Sequence, residues 1–95
     1  MYARMATFEG ADPAKIDENV EQMRSMGRPE GIPATGLYLL VDREAGKTVT
    51  IALFETEEDL RRGHETLNAM SPPVDAGMGN RSSVELYEVP LHFRA

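Results

Sequence analysis

The order of elements in this 95-residue chain predicts an α+β domain, a four-stranded antiparallel sheet with two helices on one face. Three observations carry that reading. Four short stretches, at 2–8, 37–41, 48–54 and 83–89, have the alternating or continuous apolar pattern of strands. Two stretches between them place apolar residues at helical spacing. Gly and Pro fall at the joints, which leaves the order βαββαβ. Right-handed β-α-β crossovers then give the ferredoxin-like arrangement of one domain over 1–95.

The centre of the chain is GLYLLVDREAGKTVTIALF, residues 36–54. It reads as a hairpin, with residues 42–47 as a polar loop and Gly46 supplying the left-handed conformation such loops need. Strand parity gives one face as Leu37, Leu39, Val41, Val49, Ile51 and Leu53, expected to meet the helices. The other face, Tyr38, Leu40, Ala52 and Phe54, is also mostly apolar. A solvated antiparallel sheet would carry polar residues there. A second copy of the chain is the cover expected for it, which makes the protein a homodimer.

The first strand, YARMATF, puts Tyr2, Arg4, Ala6 and Phe8 on one face and Ala3, Met5 and Thr7 on the other. Asp12-Pro13 opens the first helix. Asp caps free N–H groups, and Pro suits the first turn, where its missing N–H is not needed. Ile16, Asn19, Val20 and Met23 form its inner stripe, with Met26 at the far end and Gly27 as the stop. Residues 28–35 are a Pro- and Gly-containing loop.

After the hairpin, Thr56 and Asp59 have capping-box spacing, and the acids favour the positive end of the helix dipole. The second helix is expected from Glu57 to Ala69 or Met70, with Leu60, Gly63, His64, Leu67 and Met70 inside. Gly63 costs about 1 kcal/mol relative to Ala in a helix interior. Close approach to the sheet or to a ligand would compensate. Residues 70–80 form a long irregular connection, of a kind that is often functional. The last strand is expected over 83–89. Leu91 and Phe93 in the tail lack an obvious cover and are assigned to the partner subunit with Tyr38, Leu40 and Phe54.

Composition narrows the function. The formal charge of −6, with ten scattered basic residues, argues against nucleic acid, which needs clustered Lys and Arg. There is no cysteine, hence no disulfide and no thiolate metal site. The two histidines lie on separate elements without HxH or HExxH spacing, so no metal is expected. No apolar run approaches a membrane span and no signal-peptide pattern opens the chain, so a cytoplasmic location is expected.

The strand YARMATF, the helix DPAKIDENVEQM, the block LYLLVDREAGKTVTIALFETEEDL and the strand SSVELYEV together resemble the dimeric α+β-barrel superfamily, specifically its small antibiotic-biosynthesis-monooxygenase-like domains. The resemblance spans most of the chain and is one of fold pattern. It implies sheet-to-sheet dimers and a pocket between each sheet and its helices. In the enzymatic members that pocket takes aromatic polyketides, haem or other small carbon skeletons, and several members oxidise substrate with O2 and no metal or flavin. Of the Asn, Trp and His used by haem-degrading members, this chain has a counterpart only for His, at His64; it has no Trp.

On these grounds the function expected is binding of a small aromatic or polyketide-like molecule, with cofactor-free monooxygenation as the associated reaction. The alternative is a non-catalytic ligand-binding or accessory dimer. No cofactor is assigned. The pocket is assigned to Leu60, Gly63, His64, Leu67, Leu39 and Ile51. His64 is the catalytic candidate, because its imidazole sits on the apolar helix face and titrates near neutrality. A His satisfied by a backbone carbonyl is the plainer alternative. Arg4 and Arg81 would hold an anionic ligand if they pointed inward, surface placement being the plainer alternative. Tyr38 and Tyr87 read as packing or interface residues, and His92 carries no assigned chemistry.

Overall fold

The computed structural model describes residues 1–26, 31–69 and 80–93. The elements run β1 (Tyr2–Glu9), α1 (Pro13–Met26), β2 (Gly36–Asp42), β3 (Lys47–Phe54), α2 (Glu57–Ala69) and β4 (Asn80–Glu88). The sheet order is β2-β3-β1-β4 with every pairing antiparallel, and the two helices complete the ferredoxin-like α+β fold. The expected stop at Gly27 and most of the 70–80 connection, with Met70, lie outside the described residues.

Local chemistry sets the element ends. Asp12 Oδ1 accepts from the Ala14 N–H at 3.0 Å, which caps α1. Thr56 Oγ1 accepts from the Asp59 N–H at 3.1 Å and caps α2. The first turn of α2 holds Glu57, Glu58 and Asp59 at the positive end of its dipole. Gly46 has φ 63° in the turn between β2 and β3, and its carbonyl accepts from the Ala11 N–H at 2.8 Å. The turn thereby also anchors the entry to α1.

The register corrects the expected parity. Leu37 pairs with Ala52, Leu39 with Thr50 and Val41 with Thr48. The turn between the paired residues Asp42 and Lys47 holds an even number of residues, so odd-numbered residues of β2 share a face with even-numbered residues of β3. Leu37, Leu39 and Val41 therefore lie with Ala52 and Phe54, not with Val49, Ile51 and Leu53.

Pairing with β1 extends the two faces. The helix-covered face contains Tyr2, Arg4, Ala6, Phe8, Thr48, Thr50, Ala52 and Phe54. The open face contains Ala3, Met5, Thr7, Val49, Ile51 and Leu53, continued by Tyr38 and Leu40 on β2. Phe54 is 0% exposed and packs with Ile32, Ala34, Ala52 and Leu60, flanked by Tyr2 and Leu67. It is a core residue, which corrects its expected place on the outer face.

α2 crosses β1 and β3. A Cβ at Gly63 would overlap the Phe54 ring, so the helix reaches the sheet here only because the side chain is absent. The compensation for this helix glycine is close approach to the sheet. On α1, Ile16 is fully buried, but Met23 is 46% exposed, so the inner stripe is narrower than expected. The last strand begins at Asn80, earlier than the sequence pattern marks it.

Candidate functional site

Four polar side chains meet between α2 and the β1–β4 half of the sheet. Arg4 projects from β1 on the helix side and is only 4% exposed, which corrects the surface placement. Its Nε donates to His64 Nδ1 at 3.1 Å, and its Nη2 donates to Asn68 Oδ1 at 3.3 Å. Arg81, from β4, donates through Nη1 to the same Asn68 oxygen at 2.9 Å. Asn68 Nδ2 lies 3.2 Å from His64 Nε2, one helical turn away.

The strand irregularity between Thr7 and Phe8 aims Arg81. Thr7 pairs with Ser83 but Phe8 pairs with Arg81, so Ser82 is passed over and Arg81 joins the face of Phe8. An unbroken ladder would have placed Arg81 on the opposite face. Re-aiming a side chain in this way is a recurrent use of bulges.

The electrostatics are one-sided. Among the described residues no carboxylate lies within 4 Å of Arg4 or Arg81, although the four surface arginines Arg24, Arg43, Arg61 and Arg62 each have one. Burial, then the charge of Arg81, lowers the pKa of Arg4. Burial, then Arg4 and Arg81, lowers the pKa of His64, against a smaller opposing effect of Glu65. His64 is therefore neutral at pH 7.

Other candidates fall in different places. Leu60 and Gly63 are buried, and Leu67 packs beside the Phe54 cluster. Leu39 is on the helix-covered face, whereas Ile51 is on the open face and cannot line a space under the helices. Tyr38, 53% exposed, and Leu40 lie on the open face, and Tyr87 donates to Glu85 on that face's β4 edge. That bond, more than burial, raises the pKa of Tyr87. Leu91 and Phe93 are largely exposed in the single chain. Among the described residues no group of three His, Cys, Asp or Glu side chains could hold a metal, and no helix is long and apolar enough to cross a membrane.

Asn68 was not singled out by sequence reasoning. Its spacing of four from His64 was the available signal, since that spacing places both on one helix face.

No protein-family model matches the chain. It is 28% identical over 97 residues to the uncharacterized protein Rv2558 of Mycobacterium tuberculosis H37Rv, and equally to the uncharacterized protein MT2635 of strain CDC 1551 / Oshkosh. The alignment covers 99% of this chain and 41% of each relative, so the chain spans well under half of their length. In three dimensions it is similar to a Chloroflexus aurantiacus J-10-fl protein provisionally named an antibiotic biosynthesis monooxygenase. The TM-score is 0.58 at 9% identity, covering 99% of this chain and 96% of the other. The two share the ferredoxin-like fold, so the fold expected from the sequence is the fold observed and is also that of the Chloroflexus protein.

Proposed function

We propose that the protein is a homodimer in which each subunit binds a small aromatic or polyketide-like molecule between α2 and the β1–β4 half of the sheet. The observation that carries this reading is Arg4, buried with neutral partners only among the described residues. Burying a guanidinium without a carboxylate is costly, and structural arginines are ordinarily paired. A ligand that engages the cluster is a reason to retain it. The apolar open face supports the dimer, because Met5, Tyr38, Leu40, Val49, Ile51 and Leu53 form a continuous surface of the kind that marks an interface.

Monooxygenation is the reaction that the name of the Chloroflexus protein brings to this chain, and the resemblance read from the sequence implies that it would run without a cofactor. One contact favours the second reading, ligand binding without turnover. His64 Nδ1 already accepts from Arg4, so in the neutral ring the proton lies on Nε2, and no lone pair is free to abstract a substrate proton. His64 is then a donor to ligand, and its expected role as catalytic base gives way to a binding role.

The test is an NMR titration of the isotopically labelled protein with a panel of small aromatic acids and hydroxyaromatics, followed by oxygen uptake with any binder. Shifts clustered at Arg4, His64, Asn68 and Arg81 are expected. Shifts confined to other residues, or none across the panel, would remove this site from consideration. Oxygen uptake that depends on His64 would restore the catalytic reading.

A further inference from the structure

We propose that Arg4, His64, Asn68 and Arg81 form a receptor for an ionised oxygen, and that the ligand is a small organic anion, a carboxylate or an enolate, carried on an apolar body. This rests on the ligand-binding reading above and specifies its chemistry.

Donors outnumber acceptors in this cluster. Asn68 Oδ1 accepts from both guanidinium groups, which fixes the amide orientation: turning it over would aim its NH2 at two cations. Asn68 Nδ2, a donor, therefore faces His64 Nε2. A neutral imidazole accepts at one nitrogen only, and Nδ1 already accepts from Arg4 Nε. Nε2 then carries a proton and is a donor as well. The His64–Asn68 contact sets two N–H groups against each other at 3.2 Å. One oxygen with free lone pairs, seated against both, accepts from each and turns an opposed pair into a convergent one.

Charge points the same way. Two guanidinium groups approach one amide oxygen with no carboxylate within 4 Å among the described residues. An anion offsets the mutual repulsion and the desolvation of Arg4 together. A bare phosphate would meet the same donors, but the flank of the cluster is apolar. Leu86 pairs with Arg4 across β1–β4, Val84 pairs with Ala6, and both share the helix-side face. Leu86 is 44% exposed beside the cluster, which suits an apolar ring next to the anionic group.

Calorimetric titration of the full chain with 1-naphthoate, its uncharged isostere 1-naphthamide, and inorganic phosphate tests the proposal. The expected result is naphthoate bound about tenfold or more tightly than naphthamide, the gain of charge-assisted hydrogen bonds. Arg81→Gln should erase most of that preference and Arg81→Lys should retain part of it; Arg81 is exposed, so both variants should fold. Equal binding of naphthoate and naphthamide would overturn the anion receptor and leave the ligand-binding reading intact. Phosphate binding with neither naphthyl compound would keep the receptor and overturn the aromatic-ligand reading. A naphthoate preference unchanged in both Arg81→Gln and Arg4→Gln would place the anion elsewhere and overturn the proposal. No binding of any probe would overturn both readings.

Discussion

The two faces of the sheet both depart from the usual arrangement, the covered one by holding polar groups within its apolar layer and the uncovered one by being largely apolar. The face under the helices carries Arg4, Thr48 and Thr50 among its apolar residues, whereas the uncovered face carries Met5, Tyr38, Leu40, Val49, Ile51 and Leu53. In a monomeric two-layer domain the uncovered face would be the polar one. The difference teaches that the covered face does more than fill a core, and the apolar uncovered face is what motivates the proposed dimer. Phe54 against Gly63 seals one part of the covered layer. The Arg4 cluster places a polar, donor-rich group of side chains in another part.

The comparison can be broken at four points. Phe54→Ala removes the largest fully buried side chain of the covered face and should cost about 3–5 kcal/mol in urea unfolding. A loss below about 1 kcal/mol would mean that Phe54 does not organise this layer.

On the open face, Ile51→Glu should leave each subunit folded and abolish dimerisation. An unpaired charge buried in the interface costs on the order of 3–5 kcal/mol. Tyr38→Glu should act in the same direction. Size-exclusion chromatography reports the change, with circular dichroism to confirm the fold, and a dimer indifferent to both substitutions would contradict the assignment of this face.

Gly63→Ala sharpens the contrast within α2. Alanine favours a helix by about 1 kcal/mol, yet its Cβ would overlap the Phe54 ring. Overpacking should win, for a net destabilisation of about 1–3 kcal/mol by thermal unfolding. A stabilised variant would show that the helix can lift from the sheet without cost.

The smallest effect is on pH. The folded pKa of His64 is lowered, so the unfolded chain binds the proton more readily. The stability that His64 contributes is present above its unfolded pKa, about 6.5, and is lost as pH falls from there through the folded value. His64→Gln should flatten stability against pH just below 6.5. An unchanged slope in the variant would mean that the ring is not held neutral by its neighbours.

Much of the fold was legible because its signals are local. Asp12-Pro13 and Thr56 with Asp59 mark helix starts through groups a few residues apart, and they cap as expected. The parity between β2 and β3 was legible but misread: a loop over 42–47 leaves an even number of residues between Val41 and Thr48, which already sets odd positions of β2 beside even positions of β3. That one feature misplaced Phe54 and Ile51 together. Arg81 stays exposed as expected, but its place on the helix-side face depends on a bulge opposite Thr7 and Phe8, which alternation cannot reveal. Arg4 shared a face with Ala6 and Phe8 in the sequence pattern, but its burial needed α2 above it. His64 was visible from helical spacing, and Asn68 acquires meaning only with two arginines at its oxygen.

The measurement that tests the division between the faces most directly is sedimentation equilibrium of the unmodified chain over a falling concentration series. Twice the mass of one chain is expected, giving way to a single-chain mass only on strong dilution. A single-chain mass at every concentration would show that Met5, Tyr38, Leu40, Val49, Ile51 and Leu53 remain in water, and would contradict that division.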